Sequence, residues 1–200
     1  MSQPMSTQEV LQILVPVIDV LDQMGVVYRV GGSVASSYHG QQRATQDVDL
    51  IADLHLAQVG AFVAAFDPAK YLVQDQSVTD AILRQRSFNI IELTTMNKID
   101  VFIQKSTAQA QHEQQRAIQV AIAPGARPLW ISSAEDMILE KLLWWQLGGG
   151  ISTRQWADII GIIQAQAPHL DMSYLQTAAT ALSLTPLIQR AFADAGIPYP

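Results

Sequence analysis

Residues 30–50 read VGGSVASSYHGQQRATQDVDL, and the fold turns on how this stretch is parsed. Ahead of it, residues 26–30 (VVYRV) have the texture of a short β-strand. Gly31-Gly32-Ser33 reads as a turn, and residues 34–39 as a short helix closed by Gly40. Backbone N–H groups at such a strand-to-helix turn point outward and the helix dipole favours an anion. A glycine pair lets a phosphate approach closely, and Ser33 adds a hydroxyl donor. The segment has neither the Gly-Lys-Ser/Thr ending of a P-loop nor the G-x-G-x-x-G dinucleotide pattern. Residues 47–52 (DVDLIA) read as a second strand. Alternate strand residues share a face, so Asp47 and Asp49 present two carboxylates to one side.

Asp100 interrupts another apolar strand, residues 99–103, in the same manner. If that strand neighbours residues 47–52, three carboxylates converge on one face. An oxygen-only donor set of this kind suits Mg²⁺, two ions of it, or Mn²⁺. The alternative is that the three aspartates line the solvated face of a sheet.

Composition bounds what surrounds this constellation. The 200 residues are 49% hydrophobic and only 15% charged, too apolar for a disordered chain and ample for a core. A formal charge of -6 argues against a general positive field that coats nucleic acid, although a local basic patch is compatible with it. The absence of cysteine removes disulfides, thiolate metal sites and cysteine nucleophiles together. The N-terminal MSQPMSTQEV lacks the basic and apolar regions of a signal peptide, and no apolar run approaches a bilayer span. The expectation is a soluble cytoplasmic protein with no membrane partner.

Outward from the central stretch, residues 8–24 carry a helical period with Pro16 as a fault, and residues 54–66 read as an apolar helix. Residues 87–93 and 98–104 read as an antiparallel hairpin, and residues 115–122 as a further strand. After Pro124-Gly125 and Pro128, overlapping capping boxes precede a helix over 134–147. Gly148-Gly149-Gly150 breaks it, and helices follow over 153–167, 172–182 and 186–195. The expected fold is mixed α+β: a sheet flanked by helices over residues 1–125, then a helical unit over 126–200.

The run GGSVASSYHGQQRATQDVDL closely resembles the signature of the polymerase-beta-like nucleotidyltransferase superfamily. Arg43-Ala44-Thr45 ahead of Asp47 resembles the form found in small bacterial members of the AbiEii toxin type. AEDMILEKLLWW followed by RQWAD at 154–158 resembles that group's helical segment. The resemblance covers about residues 25–165. It implies metal-dependent transfer of a nucleoside monophosphate from a nucleoside triphosphate to an acceptor hydroxyl.

In that picture Gly31, Gly32 and Ser33 hold the phosphates, with Arg43 and Thr45 at the nucleotide. Asp47 and Asp49 bind the metals. Asp100 completes the metal site and acts as base, and Lys141 and Asp158 join the active site. The toxin-type resemblance points to RNA, such as tRNA, as acceptor and to a cognate antitoxin as partner. A small hydroxylated compound of the aminoglycoside or lincosamide kind is the alternative acceptor, and a non-catalytic nucleotide-binding or antitoxin-like module is the third reading. Arg84, Arg86, Lys98, Lys105 and Arg116 lie near Asp100 in the chain and would supply an RNA groove. Lys141 alternatively snorkels to solvent from its apolar helix. Trp144, Trp145 and Trp156, at roughly helical spacing, read as core.

Overall fold

The computed structural model describes residues 5–42, 44–45 and 47–199. Seven strands form one mixed sheet: β1 (Tyr28–Val30), β2 (Val48–Ala52), β3 (Tyr71–Leu72), β4 (Ser87–Glu92), β5 (Lys98–Ile103), β6 (Ile118–Val120) and β7 (Leu129–Ile131). Their order across the sheet is β3-β4-β5-β2-β1-β7-β6. The β2–β5 and β1–β7 pairs are parallel, and the remaining neighbours are antiparallel. The fold is therefore mixed α+β, as the sequence pattern predicts.

Strict alternation orients the central strands. Val48, Leu50, Ala52, Ile99, Val101 and Ile103 are buried, while Asp49, Ile51, Asp100 and Phe102 between them are only half-buried. The buried row supplies the core face, so the aspartates necessarily project from the other side. Helix α1 (Thr7–Gln23) starts at a Ser6–Glu9 capping box and buries Val10, Ile13, Leu14, Val17, Ile18 and Leu21 at helical spacing. It runs unbroken through Pro16. The missing hydrogen bond there, a fault worth about 3 kcal/mol in an unsupported helix, is outweighed by this packed face.

Other elements depart from the sequence pattern. The segment at 54–66 divides into a 3₁₀ turn (Leu56–Gln58) and a short helix α3 (Val59–Ala64), because the Gln58 side chain accepts from the His55 N–H and tightens the entry. Helix α4 (Asp75–Arg84) forms where the sequence reading placed no element, although it is amphipathic and buries Val78 and Ala81, whereas helix α5 (Ala108–Gln115) and strands β3 and β7 carry no clear period of their own. In α5 the sequence AQAQHEQQ has almost no apolar stripe. It is held by hydrogen bonds instead: the buried Arg29 guanidinium reaches Glu113 (2.9 Å), Gln114 (3.1 Å) and Gln104 (2.6 Å).

Contacts divide the chain into two compact units, Met1–Val34 with Ala44–Ile131, and Ala35–Arg43 with Ser132–Pro200. The second contains the rest of helix α2 (Gly32–His39), then α6 (Ala134–Leu147), α7 (Thr153–Gln166), α8 (Met172–Ala181) and α9 (Thr185–Asp194). His39, in that α2 remainder, is buried with Nε2 2.8 Å from the Ser132 carbonyl, and burial holds its pKa below the ordinary imidazole range. It is a packed histidine. Trp145 and Trp156 are half-buried rather than core, their rings tilted 42° to each other with centroids 4.7 Å apart under the Arg190 guanidinium. Trp144 corrects the core reading: it is 59% exposed, because its neighbours at Trp145 and Lys141 take the inward positions of α6.

Candidate active site

The site grows from the start of β2. Parallel pairing with β5 sets Asp49 directly opposite Asp100, and antiparallel pairing of β4 sets Asn89 opposite Asp100 on the far side. Asp49, Asp100 and Asn89 thus form one row across three strands, on the face away from the core. Asp47 precedes β2 and is exposed. The adjacency on which the convergence of carboxylates depended is present.

Gly32 lies against this row. Its φ is +54°, and a Cβ placed on it would overlap the Asp49 carboxylate oxygen and fall 2.6 Å from Asp49 Cγ. Two constraints therefore demand glycine here, a left-handed backbone and a side chain packed onto the Cα. Gly32 and Ser33 belong to the first turn of α2, two residues earlier than the sequence pattern places the helix start. Gly31 donates its N–H to the Asp49 carbonyl at 3.0 Å, which ties the turn to β2 and spends that donor internally. Any anion contact from this turn falls to later N–H groups of α2 and to the Ser33 hydroxyl.

Thr45 is buried, and its hydroxyl donates to the Asp47 carbonyl at 2.8 Å while also meeting Ser33 Oγ. Its place is therefore to brace the loop leading to Asp47. Arg43 lies outside the described residues. Lys141 Nζ and Asp158 Oδ2 form an ion pair of 2.8 Å within the second unit, and both side chains are about nine-tenths buried. Lys141 thus does not reach solvent. Its partner is Asp158, four residues after the exposed Arg154 on α7.

A residue assigned elsewhere by sequence reasoning completes the arrangement. Lys98 Nζ lies 2.8 Å from Asp100 Oδ2 and 3.7 Å from Asp47 Oδ1. Its hydrogen bond to Asp100, assisted by the charges of Asp100, Asp47 and Asp49, holds its pKa above the ordinary lysine range. The signal was available, since Lys98 stands two residues before Asp100 on one strand and shares its face, the same spacing that led the sequence pattern to pair Asp47 with Asp49; Asp47 itself falls one residue ahead of β2. Three of the other bases assigned to a groove around Asp100 stand apart from it, and the fourth, Arg116, caps the C-terminus of α5. Arg84, Arg86 and Lys105 are exposed at the opposite end of β4 and β5, where Ile103 donates to the Arg86 carbonyl. Lys105 is five residues from Asp100, about 17 Å along an extended chain.

Among the described residues, no three His, Asp or Glu side chains are disposed as they stand to hold a metal ion. The donor set nevertheless fits a hard divalent cation: register-paired carboxylates, a third beside them, and a lysine ammonium already drawn between two of them. No described helix is long and apolar enough to cross a membrane.

No protein-family model matches the sequence, and no curated protein matches it. Solved structures do match in fold. An antigenic nucleotidyltransferase-like protein from Paracoccidioides brasiliensis superposes with a TM-score of 0.57 at 19% identity, over 98% of this chain and 96% of that one. ANT(2")-Ia in complex with adenylyl-2"-tobramycin gives 0.57 at 13% identity, over 88% and 97% of the two chains. JHP933 from Helicobacter pylori gives 0.50 at 14% identity, over 96% and 81%. The chain shares the fold of these proteins, the nucleotidyltransferase-like one among them.

Proposed function

We propose that this chain is a metal-dependent nucleotidyltransferase that moves a nucleoside monophosphate from a nucleoside triphosphate to an acceptor hydroxyl. The observation that carries the reading is the Asp49–Asp100 register pair packed against Gly32 at the start of α2. It joins an anion-binding turn to a carboxylate cluster on rigid strands, which are the two parts phosphoryl chemistry needs.

Asp47, Asp49 and Asp100 would hold Mg²⁺ or Mn²⁺, which when bound neutralises phosphate charge and acidifies a hydroxyl. The Ser33 hydroxyl and the first-turn N–H groups of α2 orient the triphosphate. Asp100 accepts the proton of the acceptor hydroxyl. That oxygen then bonds to the α-phosphorus as the bond to pyrophosphate breaks. Thr45 braces the loop that presents Asp47. Lys141 and Asp158, to which the resemblance gives a catalytic role, act as a pair within the second unit.

For the acceptor, the toxin-type resemblance favours an RNA end and a cognate antitoxin. The placement of the bases favours a small hydroxylated compound instead. Lys98 is engaged with carboxylates, and Arg84, Arg86 and Lys105 lie at the far end of the strands. The ANT(2")-Ia complex holds adenylyl-2"-tobramycin, so a small acceptor suits a chain of this fold.

The test incubates the protein with each α-labelled NTP, total tRNA and a panel of aminoglycosides and lincosamides. Transfer to one acceptor class is expected, with Asp49→Asn and Asp100→Asn each slowing it by about 100-fold or more. Unchanged transfer by either variant refutes the assignment.

A further inference from the structure

Lys98 opens β5 and projects from the sheet face that carries Asp100. Its ammonium is in hydrogen-bond contact with Asp100 and within ion-pair distance of Asp47. The carboxylates of Asp47, Asp49 and Asp100 repel one another, and the Lys98 charge, which feels all three, offsets part of that repulsion. The side chain is 37% exposed, and its four-carbon stem gives the charge a route outward. An ammonium 2.8 Å from a ligand oxygen and a divalent ion on the same carboxylate repel each other, so the two cannot share Asp100 without one moving.

We propose that Lys98 is the built-in counter-ion of the aspartate cluster, and that a divalent cation gains the site by exchanging with it. The inference rests on the nucleotidyltransferase reading for the identity of the cation site. Exchange makes the cation weakly held by the protein alone. A nucleotide's polyphosphate improves the balance, because it brings new ligands to the metal and gives the displaced ammonium an anion to pair with. Metal and nucleotide therefore bind with positive coupling, and by reciprocity each strengthens the other to the same degree.

The experiment titrates Mn²⁺ into the full chain without nucleotide, following free Mn²⁺ by electron paramagnetic resonance. Thermal melts are run in parallel in EDTA and in Mn²⁺. Lys98→Met is expected to bind Mn²⁺ about tenfold more tightly than wild type, since a like charge has left the site. Lys98→Arg, which keeps the charge, is expected to stay within about twofold of wild type. In EDTA, Lys98→Met melts below wild type, and Mn²⁺ raises its melting temperature by more. Adding Asp100→Asn to Lys98→Met abolishes the gain in affinity. Saturable Mn²⁺ binding of equal strength in wild type and Lys98→Met overturns the exchange proposal and leaves the metal assignment standing. Saturable binding in neither protein overturns both.

Discussion

Replacing Gly32 with alanine tests how tightly turn and carboxylates are built together. The substitution asks for two things at once. An L-residue must adopt φ +54°, at a cost of about 1 kcal/mol. The new Cβ must also coexist with Asp49, whose Cγ and Cβ would be 2.6 and 2.9 Å away, where ordinary contact begins at 3.4 Å. Rotating the carboxylate aside relieves only part of this, because Asp49 Cβ is fixed to β2. Overpacking of that kind costs about 1–3 kcal/mol, so the total comes to about 2–4 kcal/mol.

Gly25 provides an internal control. It has φ +64° with no atom within 4 Å of its would-be Cβ, so Gly25→Ala carries the backbone cost alone, about 1 kcal/mol. Urea unfolding of the two variants should therefore differ by about 1–3 kcal/mol. Asp49 must also shift by close to 1 Å, and a misplacement of that size slows transfer by about 100-fold. Single-turnover transfer from labelled NTP measures the second effect. Equal destabilisation by the two substitutions, with Gly32→Ala turning over at the wild-type rate, would refute the claim that Gly32 exists to seat Asp49.

Two further predictions concern groups outside that contact. Asp158→Ala strands the buried Lys141 ammonium and is expected to cost about 3 kcal/mol in urea unfolding, whereas the Lys141→Met/Asp158→Leu double variant should be near neutral. If the double variant keeps its stability and loses transfer, the pair has the chemical role the resemblance implies; if it keeps both, the role is structural. Glu92 accepts from the Thr94 N–H (3.0 Å), the Thr95 N–H (2.7 Å) and the Thr95 hydroxyl (2.6 Å), and these bonds, that to the Thr95 hydroxyl foremost, hold its pKa at about 2. A depressed carboxylate pKa means that the stabilisation is fully present above pH 4.5 and fades as pH falls toward 2. The Thr94 and Thr95 amide shifts should then titrate near pH 2 in wild type and not at all in Glu92→Gln. A midpoint at the ordinary carboxylate value would contradict the turn geometry.

Much of the molecule was legible in its sequence because the relevant information is local. The helix over 134–147 announces itself through the Ser133 cap, whose hydroxyl accepts from the Asp136 N–H at 3.1 Å. The β4–β5 hairpin follows from two alternating runs across a short polar turn. Aspartates at positions 47, 49 and 100 stand out because strand interiors are otherwise apolar here. Helix α5 was illegible, since its support comes from Arg29, more than eighty residues away in sequence. β7 was also hidden, because three residues carry no period and its place beside β1 is set by pairing alone.

The sequence by itself determined which groups are available: a glycine pair at a strand-to-helix turn, three carboxylates in or next to apolar strands, and too few charges for them to be incidental. Tertiary structure decided which of those groups meet. The buried rows of β2 and β5 interlock in a single register, and that register, not proximity in the chain, puts Asp49 opposite Asp100 and draws Lys98 onto the carboxylates. The same extended geometry carries Arg84, Arg86 and Lys105 to the other end of the strands. A sequence records neighbours along the backbone, whereas electrostatics acts through space, and in a sheet the two diverge by over 3 Å with every residue.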